Sequence, residues 1–175
     1  MNASTDAPPA AIAAEERLKL TEVFSSLQGE ARDVGRPTVF VRLTGCPLRC
    51  GYCDTAYAFA GGRRQSLARV RAEVCRLAGP FREIRGPKSE IRSCRLPLVE
   101  LTGGEPLLQE NARSLMRALC DDGFTVLLET SGALDIASVD PRVRRILDLK
   151  CPSSGEVERN RWENLASLRA TDEVK

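Results

Sequence analysis

Apolar and β-branched residues alternate with polar ones along Thr38-Val-Phe-Val-Arg-Leu-Thr44, the pattern of a half-buried strand. Leu20-Thr-Glu-Val-Phe24 carries a shorter version and predicts a short strand, followed by a loop at Gln28-Gly29-Glu30. After Ser66 the period changes. Leu67, Val70, Val74 and Leu77 recur every three or four residues, which predicts a helix with Ser66 as its N-cap. Gly79-Pro80, Gly86-Pro87 and Pro97 mark residues 79–97 as a long irregular connection.

The second half is more regular. Leu98-Val-Glu-Leu-Thr102 predicts a strand, and Asn111–Leu119 a helix stopped at Asp122-Gly123. Phe124–Leu128 and Ile146–Leu149 predict two more strands, and Asn160–Leu168 a final helix. Strands alternating with helical stretches predict an α/β fold with a parallel sheet and crossover connections. Residues 1–17, rich in Ala, Pro and charge, read as a disordered leader, which leaves 18–175 as one folded domain.

Composition narrows the chemistry. A chain of 175 residues with 42% apolar residues can bury one core, but is too short for a complete eight-stranded barrel of about 250 residues. The net charge of +2 gives no sign of a polyanion partner, so no direct nucleic-acid contact is expected. There is no histidine, which removes Ser-His and Cys-His nucleophile pairs, His-ligated metals and imidazole acid–base catalysis. The N-terminus lacks a basic signal region, and no apolar run reaches the ~18 residues of a membrane span. A cytoplasmic protein is expected, with its seven cysteines reduced or metal-bound.

The polar and Gly-bearing segments all follow predicted strands: Gly45 to Thr55, Thr102-Gly-Gly-Glu-Pro106, Glu129-Thr-Ser-Gly132, and Lys150-Cys-Pro-Ser-Ser-Gly155. In a parallel sheet they emerge at one C-terminal edge, where α/β proteins place their sites. One of them carries three soft donors, Cys46, Cys50 and Cys53, in a C-x3-C-x2-C loop. Such ligands suit zinc or an iron–sulfur cluster. Zinc needs a fourth ligand from a distant Cys or a carboxylate, whereas a four-iron cluster on three cysteines keeps one iron open. Gly103, Gly104 and Pro106 are equally those of a strand-to-helix turn, and Thr55 or Asp54 could serve as a helix cap. Arg42, among apolar neighbours, needs a counter-charge or a polar interior.

The cysteine loop, with Tyr52 beside its last thiol, resembles the radical S-adenosylmethionine enzymes. Leu27-Gln-Gly-Glu30, Gly35-Arg-Pro37, Phe40-Val-Arg42, Cys53-Asp-Thr55, Thr102–Pro106, Glu129–Gly132 and Asp148-Leu-Lys-Cys-Pro152 resemble, within these, the 7-carboxy-7-deazaguanine synthase family. The chain departs from that pattern at Ala31, where the family has a glycine, and Ala resists a positive φ.

The resemblance implies a partial (β/α) barrel of mostly parallel strands, truncated at its C-terminus, because Thr171–Lys175 resembles the start of the family's next strand. It implies a [4Fe–4S] cluster on Cys46, Cys50 and Cys53, S-adenosylmethionine as cofactor, and Mg²⁺ held by Thr55. Gly104, Glu105, Glu129, Thr130, Lys150 and Ser153 would contact S-adenosylmethionine. Leu27, Gln28, Gly29, Arg42 and Thr102 would hold the substrate, with Arg42 forking its carboxylate. No side chain is assigned to the chemical step itself. Cys151 is set aside as a ligand, since a fourth thiolate would close the open iron. Cys75 and Cys120 read as small core residues, and Cys94 has no assigned role.

The implied reaction is ring contraction of 6-carboxy-5,6,7,8-tetrahydropterin to 7-carboxy-7-deazaguanine with loss of ammonia, in the queuosine pathway. The implied partners are a pterin, an electron donor such as flavodoxin or ferredoxin, and a second copy in a homodimer. A chain ending at residue 175 is expected to bind the cluster but to aggregate readily and turn over poorly. Two rivals remain at this stage: a glycyl-radical activating enzyme, which shares the cysteine spacing, and a zinc-binding module without catalysis.

Overall fold

The structure, a computed structural model, describes residues 16–82 and 97–175. Its strands are β1 (Arg17–Leu27), β2 (Pro37–Leu43), β3 (Arg63–Ser66), β4 (Leu98–Gly103), β5 (Val126–Thr130), β6 (Arg144–Leu147) and β7 (Glu173–Val174). Helices α1 (Leu67–Arg82) and α2 (Asn111–Asp121) sit in the crossovers before β4 and β5. The described strands form one open sheet in the order β3-β1-β2-β4-β5-β6-β7. β2, β4, β5, β6 and β7 run parallel, as the alternating pattern predicts. The expected further strand at 171–175 is β7, which extends the parallel row beside β6.

Period-2 alternation gives this sheet two different faces. Val39, Val41, Val99, Leu101, Val126 and Leu128 point to the face covered by α1 and α2 and are buried with them in one core. The side chains between them, Phe40, Arg42, Glu100, Thr102 and Glu129, belong to the other face and line a cavity. Phe24 of β1 stacks on Phe40 there, with ring centroids 5.1 Å apart. The expected cap at the start of α1 is present: the Ser66 hydroxyl accepts from Arg69 N–H at 3.3 Å. Cys75 and Cys120 pack against the core, as expected.

Several expectations need correction. Arg17 is not in a leader but opens β1, which runs to Leu27 rather than ending at Phe24. β1 is antiparallel to β2, because the short loop between them cannot make the crossover that parallel neighbours need. β3 is an all-polar edge strand, Arg-Arg-Gln-Ser, whose composition gives no strand signal and which forms by pairing with β1. Helix α1 continues through Gly79-Pro80 to Arg82, where an irregular connection was expected. The rest of the predicted irregular connection, residues 83–96 with Cys94, lies outside the described residues, as does 1–15 of the predicted leader. β5 and β6 are shifted by two residues from the predicted strands, so Glu129 and Thr130 lie within β5.

The predicted final helix at 160–168 is instead a short 3₁₀ segment, Trp162–Ser167. Two asparagines hold this stretch by bonds that an α-helix would compete with. The Asn164 amide donates to Gly132 O at 3.0 Å and Leu134 O at 2.9 Å, and accepts from Ile136 N–H at 3.3 Å. The Asn160 amide pairs with both backbone groups of Lys150, at 2.9 and 2.8 Å.

Ala31 has φ +58°, a left-handed conformation that no other non-glycine residue adopts among the described ones. Its methyl packs against Leu98, Leu127 and Ile146, and this contact offsets part of the strain that glycine would avoid.

The segment that carries β7 is tied down by one buried ion pair. Arg145 donates from Nε to Asp172 at 3.0 Å and from its backbone N–H at 2.9 Å, and the two side chains are 3% and 1% exposed. Burial alone would raise the Asp172 carboxyl, but the Arg145 bonds override it and hold it below the usual range. A depressed carboxyl contributes stability that is present above its unfolded pKa and lost as pH falls through the native value. Asp172→Asn, which leaves Arg145 buried and uncompensated, is expected to cost about 3–5 kcal/mol in urea unfolding and to flatten the acid side of the stability profile.

Candidate active site

The loop after β2 is folded by its own backbone and by its neighbours. Gly45 N–H donates to Ala58 O at 2.8 Å, Cys53 N–H to Cys50 O at 3.1 Å, and Gly51 N–H reaches Ser154 O at 2.9 Å. Leu48 is its buried anchor, and the Arg49 guanidinium lies 4.3 Å from the Phe59 ring centroid. The end of β4 packs directly on this loop. A Cβ on Gly103 would fall 2.2 Å from Leu43 O, and one on Gly104 would fall 2.2 Å from Gly45 O and 2.8 Å from the Cys46 Cβ. The two glycines thus serve close approach to the cysteine loop, rather than a bare strand-to-helix turn.

A cavity of about 440 Å³ opens at the C-terminal edge of the parallel strands. Of the residues singled out from sequence, Gln28, Gly29, Arg42, Cys46, Cys50, Cys53, Thr55, Thr102, Gly104, Glu129, Thr130 and Lys150 all line it. Three do not. The Leu27 side chain is 62% exposed, Ser153 lies beside Cys151 at 3.2 Å, and Glu105 is fully buried. The Glu105 carboxylate accepts from Thr130 Oγ1 at 2.9 Å, Ser131 N–H at 2.8 Å, Ser131 Oγ at 2.6 Å and Leu107 N–H at 2.9 Å. With these lone pairs committed, its observed work is to brace the β4 end against the β5 end.

Cys46, Cys50 and Cys53 are partly exposed free thiols. Burial pushes the thiols of Cys46 and Cys50 above their ordinary pKa, so a metal must displace protons to bind them. Among the described residues, no three Cys, Asp or Glu side chains converge on a position for one ion. Cluster ligation needs no such convergence, because each thiolate binds a different iron. Cys46, Cys50 and Cys53 all line the one cavity, and three thiolates that each take a different iron suit a cluster. Cys151 stands apart from the three: it is exposed and accompanied by Tyr52 and Ser153, whose hydrogen bonds hold its thiol below the usual range.

Thr55 precedes a 3₁₀ turn, Ala56–Phe59, but its side chain makes no capping bond. Its hydroxyl lies 3.7 Å from Cys53 Sγ and keeps a hard oxygen available on the cavity wall. Arg42 donates from Nε to Glu22 at 2.8 Å and stands 5.8 Å from the ring centroids of Phe24 and Tyr57. Lys150 is held by Asp148 at 2.6 Å; burial would lower its pKa, but this bond keeps it above the ordinary lysine value.

Two charged lining residues, Glu100 and Lys175, were not anticipated. Glu100 sits in β4 at 3% exposure, where its carboxylate accepts from the Gln28 amide. Burial, then the Glu129 charge, pushes it up to about 8. A single acid inside Leu98-Val-Glu-Leu-Thr102 was the available signal, by the same reasoning that singled out Arg42. Lys175 bonds both Glu30 and Glu129, and nothing in its local sequence points to the cavity. Burial would raise Glu129, but the Lys175 ammonium overrides it and keeps that carboxyl below the usual range.

A scan against protein-family models finds no match. The 7-carboxy-7-deazaguanine synthase of Koribacter versatilis is 45% identical over 159 residues, covering 90% of this chain and 63% of that protein. That of Chlorobaculum tepidum is 42% identical, covering 83% of this chain and 59% of its own length. The crystal structure of QueE from Escherichia coli shares the fold, with a TM-score of 0.61 at 24% identity over 82% of this chain and 68% of that one. The chain spans roughly three fifths of the length of the first of these curated relatives. It covers 68% of the Thermoplasma acidophilum 7-carboxy-7-deazaguanine synthase at 35% identity, and on this match it belongs to the 7-carboxy-7-deazaguanine synthase family.

Proposed function

We propose that the chain carries the site of a radical S-adenosylmethionine lyase that converts 6-carboxy-5,6,7,8-tetrahydropterin to 7-carboxy-7-deazaguanine with loss of ammonia. The observation that carries this reading is one cavity shared by two sets of groups. Cys46, Cys50 and Cys53 line it together with Gln28, Arg42 and Thr102. When bound, a [4Fe–4S] cluster with S-adenosylmethionine supplies a radical able to take hydrogen from carbon.

The chain's own residues bind and orient. The backbone of Gly104 and the Lys150 ammonium lie next to the thiols and, with Thr130 also on the cavity lining, suit the polar groups of S-adenosylmethionine. Arg42, steered by Glu22 and by two aromatic rings, offers a planar fork to the pterin carboxylate. Thr102 donates to Glu129 at 3.0 Å, which fixes both on the floor beneath a bound ring. Phe40, Leu48 and Phe59 supply apolar wall and help keep water from the reacting carbon. Thr55 offers one oxygen ligand to Mg²⁺. Tyr52, exposed beside the cysteine loop, marks a face open to a flavodoxin- or ferredoxin-like electron donor.

Anaerobic reconstitution is expected to give a brown protein with about four irons per chain. Cys46→Ala, Cys50→Ala and Cys53→Ala should each lose most of the iron and all S-adenosylmethionine cleavage, whereas Cys151→Ser should keep both. A colourless, iron-free wild type would overturn the reading in favour of a zinc module. Ammonia release from the tetrahydropterin tests the substrate, and cleavage without ammonia would point to a different one.

Thr55→Ala is expected to weaken the Mg²⁺ dependence of turnover while the cluster absorption stays unchanged. A Mg²⁺ titration identical to that of the wild type would remove Thr55 from the metal site.

A further inference from the structure

Residues 151–156, beyond the end of β6, are bonded to the cysteine loop at two backbone positions. Glu156 Oε1 accepts from Arg49 N–H at 2.6 Å, and Ser154 O accepts from Gly51 N–H at 2.9 Å. These two amides flank Cys50. Ser154 is buried and stiffens the turn: its hydroxyl donates to Cys151 O at 2.7 Å and accepts from Glu156 N–H at 3.0 Å. Glu156 is therefore held at both its backbone and its carboxylate. The cations around it are engaged elsewhere. The Arg49 guanidinium donates to Cys46 O at 2.9 Å and Leu48 O at 2.6 Å and lies over the Phe59 ring. Lys150 is paired with Asp148 at 2.6 Å. Among the described residues Glu156 forms no ion pair. Its charge nevertheless reaches the Cys50 sulfur: burial raises that thiol most, Lys150 lowers it, and Glu156 raises it.

We propose that Glu156 is a positioning residue that lowers the reduction potential of a cluster held by Cys46, Cys50 and Cys53. The proposal rests on the iron–sulfur reading of the cysteine loop. Such a cluster is tuned by nearby charge and by hydrogen bonds to its sulfurs. Glu156 acts in the same direction on both. Its carboxylate opposes the one electron that the oxidised cluster takes from an external reductant, a step in which no bond is made or broken. It also occupies the Arg49 N–H, which is then not available to donate to a sulfur. Both effects disfavour the reduced state, so the reduced cluster is the stronger electron donor. A sulfonium is cleaved by accepting one electron, and a cluster poised lower delivers that electron more readily.

A redox titration with dithionite, followed by electron paramagnetic resonance on the anaerobically reconstituted protein, tests this without substrate. Glu156→Gln keeps an acceptor for Arg49 N–H and removes the charge. At a fixed solution potential its ratio of reduced to oxidised cluster should exceed the wild-type ratio about fivefold, or about 40 mV for one electron. Glu156→Met has neither charge nor acceptor and should raise the ratio further. Glu73→Gln removes an equal charge on α1, on the far face of the sheet, where Glu73 pairs with Arg76, and should leave the ratio as in the wild type. An unchanged ratio in both Glu156 variants overturns the proposal and leaves the cluster reading intact. An equal rise in Glu73→Gln overturns it too, because net charge alone would then account for the effect. Loss of iron from both Glu156 variants also overturns it, since the residue would then serve cluster assembly and not its potential. Absence of a cluster from the reconstituted wild type overturns the iron–sulfur reading, and the role of Glu156 with it.

Discussion

Where β4 ends against β2 there is no space for a side chain. The carbonyl oxygens of Leu43 and Gly45 occupy the positions that Cβ atoms of residues 103 and 104 would take. Glu105 N–H then donates to Gly45 O at 2.8 Å and Gly104 N–H to Leu43 O at 3.2 Å, so the two strand ends are joined beyond the regular ladder. This contact sets the cysteine loop on one wall of the cavity. The buried Glu105 carboxylate passes the constraint on to β5 through Thr130 and Ser131. Three strand ends thus behave as one rigid rim, which is what a site built from separate loops requires.

The sheet supplies the rest by its alternation. Its helix-covered face takes the valines and leucines of β2, β4 and β5, so the residues between them must turn to the open face. A charge at such a position costs free energy unless it is paired. Arg42 meets Glu22, Glu129 meets Lys175, and Glu100, whose pKa burial raises, takes the Gln28 amide. The first ties β2 to its neighbour β1, the second β5 to the end of β7, and the third β4 to the end of β1, and together they give the cavity floor its polar pattern.

The parallel strands and their polar ends were legible because both signals are local: an apolar run, then Gly, Cys or Thr at its C-terminal end. Cys46, Cys50, Cys53, Arg42 and Thr102 could be found in that way. β1 was legible as a strand at Leu20–Phe24 but not in its antiparallel direction, and the polar β3 was not legible at all, because pairing depends on loop length and on a neighbouring edge rather than on composition. The 3₁₀ segment at 162–167 was misread because the helical pattern there is overridden by distant partners of Asn160 and Asn164. Glu105 shows the limit for site residues. A carboxylate in a Gly-Gly-Glu-Pro turn looks available for a ligand, and only burial shows that four protein donors already occupy it.

The distribution of charge in the cavity also argues for one direction of binding. Lys150 lies near the Cys50 thiol and Arg42 meets Glu22, whereas Glu30 and Glu129 share Lys175. A carboxylate entering beside Lys175 would meet anions whose one cation is taken, at a low-dielectric floor where repulsion is strong. An N–H donor there would meet the Glu129 carboxylate, which already accepts from Lys175 and Thr102. On the function proposed above, the acid of a molecule with both groups would turn toward Arg42 and its heterocycle edge toward Glu129.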